Sequence, residues 1–346
     1  MTDTLDAAFS EAAALPPERP MLARSPSPQT AAFDGWVRRG EAGLELKSFT
    51  GTTGADGGFA VPRELDARID AALKSMSPIR AIANVVKVGS AGYRKLVTTG
   101  GVGSGWAGET AARPETSTPT FNEIAPPSGD LYANRAASQF MLDDAQFDVE
   151  DWLAGEIATE FARAEGAAFV GGSGVNRPRG FLNGPITNQA DGTRAFGTLQ
   201  YIATGADAGF GSAGPERLID LVQTLRSPYR QGATWVMNAR TMAAVRKMKT
   251  SDGAFLWVPG IQAGQPDTLL GYPIVEAEDM PDMAAGSHAI AFGNFRAGYL
   301  IAERTETSIL RDPYTNKPFV YFYATKRVGG CVSNSEAIKL LRFGVN

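Results

Sequence analysis

The most regular hydrophobic pattern in the chain lies over residues 143–170. Val149, Trp152, Leu153, Ile157, Phe161, Ala164 and Ala168 recur at three- and four-residue spacing, which puts them on one stripe of an α-helix. Asp143 and Asp144 place carboxylates where a helix start presents unpaired N–H groups and the positive end of its dipole. Gly171-Gly172 supplies the stop. Such a helix is about 40 Å long. The segment holds eight acidic residues and one arginine. That run reads first as a solvated face, and contact with a basic neighbour is the alternative.

Other elements are shorter. Leu65, Ile69, Ala72 and Leu73 predict a helix over 62–75 with Pro62 in its first turn. Ser77-Pro78-Ile79-Arg80 opens a segment that runs into a strand ending at Val88. Residues 89–130 are rich in Gly, Ser, Thr and Pro, with strand-like pieces at 93–97 and 121–124. This reads as a two-stranded excursion without a core of its own, which is marginal in water unless it rests on something. Residues 215–226 predict a helix with Leu218, Ile219, Leu221, Val222 and Leu225 inward. A strand follows at 234–237, and Asn238 caps a helix over 239–250. Strands are expected at 269–276 and 289–292, a hairpin pairs 299–310 with 318–326, and 337–342 is the last strand. Strands and helices do not alternate regularly, so the class is α+β. Residues 1–45 look separable. Pro16, Pro17, Pro20, Pro26 and Pro28 make an extended linker between short helical stretches, and 47–58 reads as an exposed arm.

Composition excludes more than it assigns. At 43% hydrophobic and 20% charged, the 346-residue chain is an ordinary folded protein. A net charge of −4 is unlike a dedicated nucleic-acid binder, although a container for DNA need not be basic. One cysteine, Cys331, allows no internal disulfide and fits a reducing compartment. The first residues do not read as a secretory signal, and no apolar run is long enough to span a membrane.

The candidate chemistry is thin. One His and one Cys cannot build a zinc site. A Ser-His-Asp triad would have to use His288, which reads instead as a strand-edge surface residue. Gly103-Ser104-Gly105-Trp106-Ala107-Gly108 matches GxGxxG, but Pro114 and Pro119 follow where a phosphate-binding helix should begin, so the match reads as a loop tip. Asp143, Asp144 and Asp148 read as caps in preference to metal ligands. Arg240, Arg246, Lys247 and Lys249 lie on one expected helix and read as a solvated face, with an acidic surface or nucleic acid as the alternative partner. No catalytic, cofactor-binding or metal residue is therefore assigned. An enzyme, in the form of a hydrolase built on His288, is the reading from another class. It predicts a monomer or small oligomer.

Six blocks in order resemble the Hong Kong 97-type major capsid proteins of tailed phages. They are Gly57-Gly58-Phe59-Ala60-Val61-Pro62 with Ser77-Pro78-Ile79-Arg80; Gly105-Trp106-Ala107-Gly108-Glu109-Thr110; Leu142-Asp143-Asp144 through Asp151-Trp152-Leu153 to Phe161-Ala162-Arg163-Ala164-Glu165 and Ala168-Phe169; Arg177-Pro178-Arg179-Gly180-Phe181-Leu182; Gly271-Tyr272-Pro273-Ile274; and Ala324-Thr325-Lys326-Arg327-Val328-Gly329-Gly330. The wording of the second, third and sixth is most similar to capsids of alphaproteobacterial gene transfer agents. Val245-Arg246-Lys247-Met248-Lys249 and Ala277-Glu278-Asp279-Met280-Pro281-Asp282 also resemble that subgroup.

The resemblance implies a Hong Kong 97-like fold divided as follows. Residues 1–56 are an N-terminal segment and arm, partly cleaved on maturation near 45–50. Residues 57–88 are the opening helix and strand of the peripheral P-domain, and 89–130 the E-loop. Residues 131–179 are P-domain with the spine helix 143–170, 180–295 the axial A-domain, 296–330 P-domain strands, and 331–346 the last A-domain strand. It implies a major capsid protein that self-assembles into hexamers and pentamers of an icosahedral or prolate head, not an enzyme and without cofactor. The partners implied are copies of itself, a portal protein, a prohead protease, scaffold and head decoration proteins, and packaged double-stranded DNA held without sequence specificity. No membrane is involved, and the location is the virion capsid, assembled in the bacterial cytoplasm. An encapsulin-like nanocompartment shell, which shares the fold, is the alternative.

Two departures stand out. Only some 45–55 residues precede the core, where many members carry a longer scaffolding segment. In crosslinking members an E-loop Lys joins an Asn of a neighbour with help from a Glu. Lys95 matches the Lys, but Thr325 takes the Glu place and Pro318 the Asn place. No isopeptide is expected.

Overall fold

The computed structural model describes residues 58–60, 76–89, 93–99, 106, 120–139, 149–211, 213–249, 268–304 and 307–345. The expected features of residues 1–57, the helix over 62–75, most of the loop 100–119, and Asp143, Asp144 and Asp148 lie outside them. In chain order the strands are β1 (Gly58–Ala60), β2 (Asn84–Lys87), β3 (Lys95–Thr99), β4 (Thr120–Ile124), β5 (Ser128–Ser138), β6 (Ile186–Thr187), β7 (Leu199–Ala203) and β8 (Thr234–Met237). Then follow β9 (Thr268–Leu269), β10 (Tyr272–Glu276), β11 (Ile290–Gly293), β12 (Tyr299–Glu303), β13 (Ser308–Asp312), β14 (Phe319–Val332) and β15 (Ile338–Arg342). The helices are α1 (Pro78–Ile82), α2 (Val149–Gly171), α3 (Gly214–Thr224), α4 (Ser227–Arg230), α5 (Ala239–Arg246) and α6 (Phe295–Gly298).

Two sheets organise the chain. One has the order β1-β13-β14-β12-β2 with β5 also on β14, and the other runs β6-β7-β15-β11-β8-β10-β9. The second mixes parallel and antiparallel pairs, and its last-made strand, β15, lies between β7 and β11. This α+β arrangement keeps one apolar layer between the two sheets, where Ile79, Phe169, Phe181, Tyr299 and Ile301 meet Leu199, Val236, Ala291 and Leu340. A second layer covers the other face of the seven-stranded sheet, where Leu218, Leu221 and Leu225 pack toward Trp235, Phe292 and Phe343.

Helix α2 buries Leu153, Ile157, Phe161 and Phe169, a row spaced by four and eight residues. Ala164 and Ala168, expected on the stripe, are only half-buried, because the four-residue row turns Glu165 and Phe169 inward in their place. The acidic run is not a plain solvated face. Glu165 is buried against Arg80, and Arg135 of β5 binds both Glu156 and Glu160. The three acids of this helix whose side chains are described find basic partners in their own chain.

Four element boundaries and one buried position differ from expectation. The run 299–310 is two strands, and the hairpin pairs β13 with the first half of β14, Ser308 opposite Thr325 and Asp312 opposite Tyr321. The second half of β14 continues past Lys326 and pairs with β12, Tyr299 opposite Val332. The run 269–276 is broken by a two-residue turn in which Leu270 (φ 52) and Gly271 (φ 82) are both left-handed, the geometry of a type I′ hairpin. Ile219 on α3 is 48% exposed, since its position lies off the 218-221-222-225 row. Helix α5 stops at Arg246 with Lys247 as its cap, so Lys249 lies beyond it, and Arg240 pairs with Asp282 at 2.8 Å. Asn238 caps it as expected, accepting from the Thr241 N–H at 2.8 Å.

Candidate assembly surfaces and the buried charge clusters

Strands β3 and β4 form the two-stranded ribbon that the sequence predicts, with Leu96 opposite Glu123 and Thr98 opposite Phe121. Its outward face exposes Leu96 (69%) and Phe121 (67%) beside the Arg94–Glu123 ion pair at 2.6 Å. Its inward face carries Lys95, Val97 and the buried Ile124. Trp106, inside the GxGxxG match, is fully exposed.

A second surface without a partner among the described residues is the outer face of β5 and β14. Along β14 the buried Val320, Phe322 and Ala324 alternate with Phe319, Tyr321 and Tyr323. On β5, Tyr132 stands opposite Thr325 and is 65% exposed, and its ring centroid is 6.0 Å from that of Tyr323. Four aromatic rings therefore share one sheet face. Arg327 and Asp130 close its end with a two-contact ion pair, and the guanidinium holds the Asp130 carboxyl below its usual range.

Behind these surfaces the elements are joined by buried polar groups. Arg80 at 5% exposure and Lys326 at 2% share the carboxylate of Glu303, and Arg80 also approaches Glu165 at 3.3 Å. The cluster thus ties α1, α2, β12 and β14 together. Beside it the fully buried Tyr299 packs edge-on to Phe169 (5.9 Å) and Phe181 (6.3 Å) and donates to the Arg179 carbonyl at 2.9 Å. Burial first, and the adjacent Cys331 second, push the Tyr299 phenol well above its usual range. The segment after α2 folds back on the helix end at two glycines. A Cβ on Gly172 would lie 2.3 Å from the Pro178 carbonyl oxygen, and one on Gly180 2.3 Å from that of Val170. The Gly180 N–H donates to the Gly172 carbonyl at 2.9 Å, and that of Arg179 to Gly330 at 2.9 Å. The fourth and sixth sequence blocks therefore meet in space.

The residues weighed for chemistry are not gathered into one site. His288 is half-buried and not a surface residue. It lies edge-on to Tyr201 at 5.8 Å. Burial lowers its pKa, and its charged neighbour Arg342 lowers it further, the opposite of a triad carboxylate. Burial pushes the Cys331 thiol up to about 11, which keeps it from the thiolate form. Lys95 faces the body of its own chain, and the hydroxyls of Thr325 and Ser308 bond across strands at 2.6 Å where the resemblance expects a carboxylate. No group of three His, Cys, Asp or Glu suited to a metal occurs among the described residues, and no helix there is long and apolar enough to cross a membrane.

Sequence reasoning did not single out Tyr132 on β5, Glu303, or the fully buried Lys339. The signal for Lys339 is its position inside Ile338-Lys339-Leu340-Leu341, an apolar strand with one cation.

Comparison with known proteins shows the family and the fold. The family model described as the phage capsid family matches residues 57–343. The capsid of a native GTA (gene transfer agent) particle, computed with C5 symmetry, is 46% identical with a TM-score of 0.70, over 87% of this chain and 97% of that one. The capsid of the empty GTA particle gives 46% and 0.71 over the same shares. A chain from Mycobacterium phage Cain shares the fold at 14% identity and a TM-score of 0.53, covering 78% of this chain and 90% of that one. No curated protein sequence matches. These relatives do not favour the nanocompartment alternative. The chain belongs to the phage capsid family and is a major capsid protein of the Hong Kong 97-like fold.

Proposed function

We propose that copies of this chain gather into hexamers and pentamers that close a DNA-containing head, and that the ribbon of one copy lies on the aromatic sheet face of the next. The observation that carries this reading is the pair of different apolar surfaces on one molecule. Leu96 and Phe121 face outward on the ribbon, and Phe319, Tyr321, Tyr323 and Tyr132 face outward on the sheet. A contact between unlike surfaces of identical subunits is heterologous, and it propagates into rings or shells where a two-fold contact would stop at a dimer. Burying a side chain of this size yields about 1.5–3 kcal/mol.

The subunit roles follow the resemblance. Residues 89–130 act as the E-loop, 131–179 and 296–330 as the peripheral domain, and 180–295 with 331–346 as the axial domain around fivefold and sixfold centres. The chain's work is structural, without catalysis or isopeptide crosslinking. A portal protein and confined double-stranded DNA are its partners, with assembly in the cytoplasm. The test is the double variant Leu96→Asp/Phe121→Asp. The purified subunit keeps its far-ultraviolet circular dichroism but forms no shells by size exclusion and negative-stain microscopy. Shells at wild-type yield sink the reading.

A further inference from the structure

A cavity of about 520 Å3 lies between ribbon strand β3 and the turn at residues 334–336. Val97 and Thr98 form one wall, and Arg194, Arg226 and Tyr229 the other. Behind that wall three cations converge on one carboxylate. Asp191 receives Lys339 at 2.5 Å, Arg194 at 2.6 Å and the Nε of Arg226 at 3.4 Å. The second acid, Glu336, is held by Arg226 Nη1 at 2.9 Å. Three positive charges thus meet two negative ones. Lys339 is 0% exposed and the Arg194 side chain 3%, so water does little to make up the difference.

Burial pushes the Lys339 ammonium down to about 8 and lowers Arg194, although Asp191 pulls both the other way. By the count of its ion-pair partners the cluster carries one excess positive charge, and Arg226, 49% exposed, is its member nearest solvent. It also presents donors to the cavity. The Asn334 amide donates to the Tyr229 oxygen at 2.8 Å, which leaves the phenolic hydrogen to be given elsewhere. Arg226 binds its carboxylates through Nε and Nη1, and its Nη2 has no partner among the described residues.

We propose that this cavity is an oxyanion site, in which Arg226 and Tyr229 donate to a carboxylate or phosphate group and Arg194 and Lys339 supply the buried positive field. The two sources of that chemistry are a free inorganic oxyanion and an acidic side chain from a second copy. A guanidinium–oxyanion contact is among the stronger hydrogen bonds available in water.

The probe is inorganic phosphate, titrated against full-length chain in thermal unfolding at constant ionic strength, with chloride as the control. Phosphate raises the unassembled subunit's melting temperature saturably, and chloride does not. Tyr229→Phe, which keeps the ring and its packing, and Arg226→Gln each weaken the apparent phosphate affinity about tenfold, the loss of one charge-assisted hydrogen bond. In assembled particles, a response that persists assigns the site to a free oxyanion. A response that disappears on assembly assigns it to a carboxylate of a neighbouring copy. An unassembled subunit that responds equally to phosphate and chloride overturns the proposal, as do variants that bind phosphate like the wild type.

Discussion

Replacing Glu303 with leucine tests whether the buried charges hold the fold or merely occupy it. Glu303 is 4% exposed and is the carboxylate shared by Arg80 and Lys326, which are 5% and 2% exposed. Water cannot take over when the carboxylate goes. Removing one partner from a buried ion cluster costs about 3–5 kcal/mol, because the remaining charge stays desolvated. At the low end of about 2–4 °C per kcal/mol, fitting for a chain longer than 250 residues, a loss of about 4 kcal/mol lowers the melting temperature by about 8 °C. The double variant Glu303→Leu/Lys326→Met removes one charge of each sign and leaves the Arg80–Glu165 pair. It recovers at least half of the loss. The assay is urea unfolding of the unassembled subunit followed by circular dichroism, with the denaturant slope checked for constancy across variants. A single variant within about 1 kcal/mol of wild type would show that the cluster carries no such weight. A double variant as unstable as two independent losses would refute the claim that these charges act as a unit.

Two further outcomes follow from the geometry. Gly172→Ala forces a Cβ to within 2.3–2.4 Å of two backbone oxygens, and Gly180→Ala does the same against Val170. Each lowers the yield of folded soluble subunit severely, whereas Gly155→Ala, which meets nothing within 4 Å, does not. Lys339 titrates at about 8, below its ordinary value near 10.5, so the folded state binds fewer protons than the unfolded chain between those values. Urea midpoints therefore rise from pH 8 toward pH 10, and Lys339→Met flattens that rise.

How much of this was legible depends on what each residue answers to. The long helix was plain, because a stripe of Leu153, Ile157 and Phe161 needs only its own spacing to be seen. The ribbon was equally plain from what it lacks. Strand β5 was not, since after Leu131 and Tyr132 its residues 133–138 are Ala, Asn, Arg and Ser, with no β-branched or aromatic side chain to mark a strand. Eleven residues of pairing with β14 override that preference. Glu165 reads as one acid among eight until Arg80, eighty-five positions earlier, is placed beside it. Half-burial of His288 likewise rests on Tyr201 and Arg342, which no local pattern links to it.

Four of the six blocks that carry the family resemblance have described residues where two backbones or two buried charges touch. Ser77-Pro78-Ile79-Arg80 supplies Arg80 to the charge cluster. Arg177 to Leu182 and Ala324 to Gly330 meet at Gly172, Gly180 and Tyr299, where an added methyl group has no room and a lost hydroxyl takes the donor from the Arg179 carbonyl. These contacts fix how α1, α2 and the segment after it sit against the six-stranded sheet. The proposed contact surfaces obey a looser rule. Leu96, Phe121, Tyr132 and Tyr323 need only be apolar and outward, so many residues serve, and no motif marks them. A reading from sequence blocks therefore finds the joint of the subunit first and its neighbours last. It follows that changes at the joint cost stability before assembly begins, while changes on the ribbon and the aromatic face leave the monomer folded and act on the shell alone.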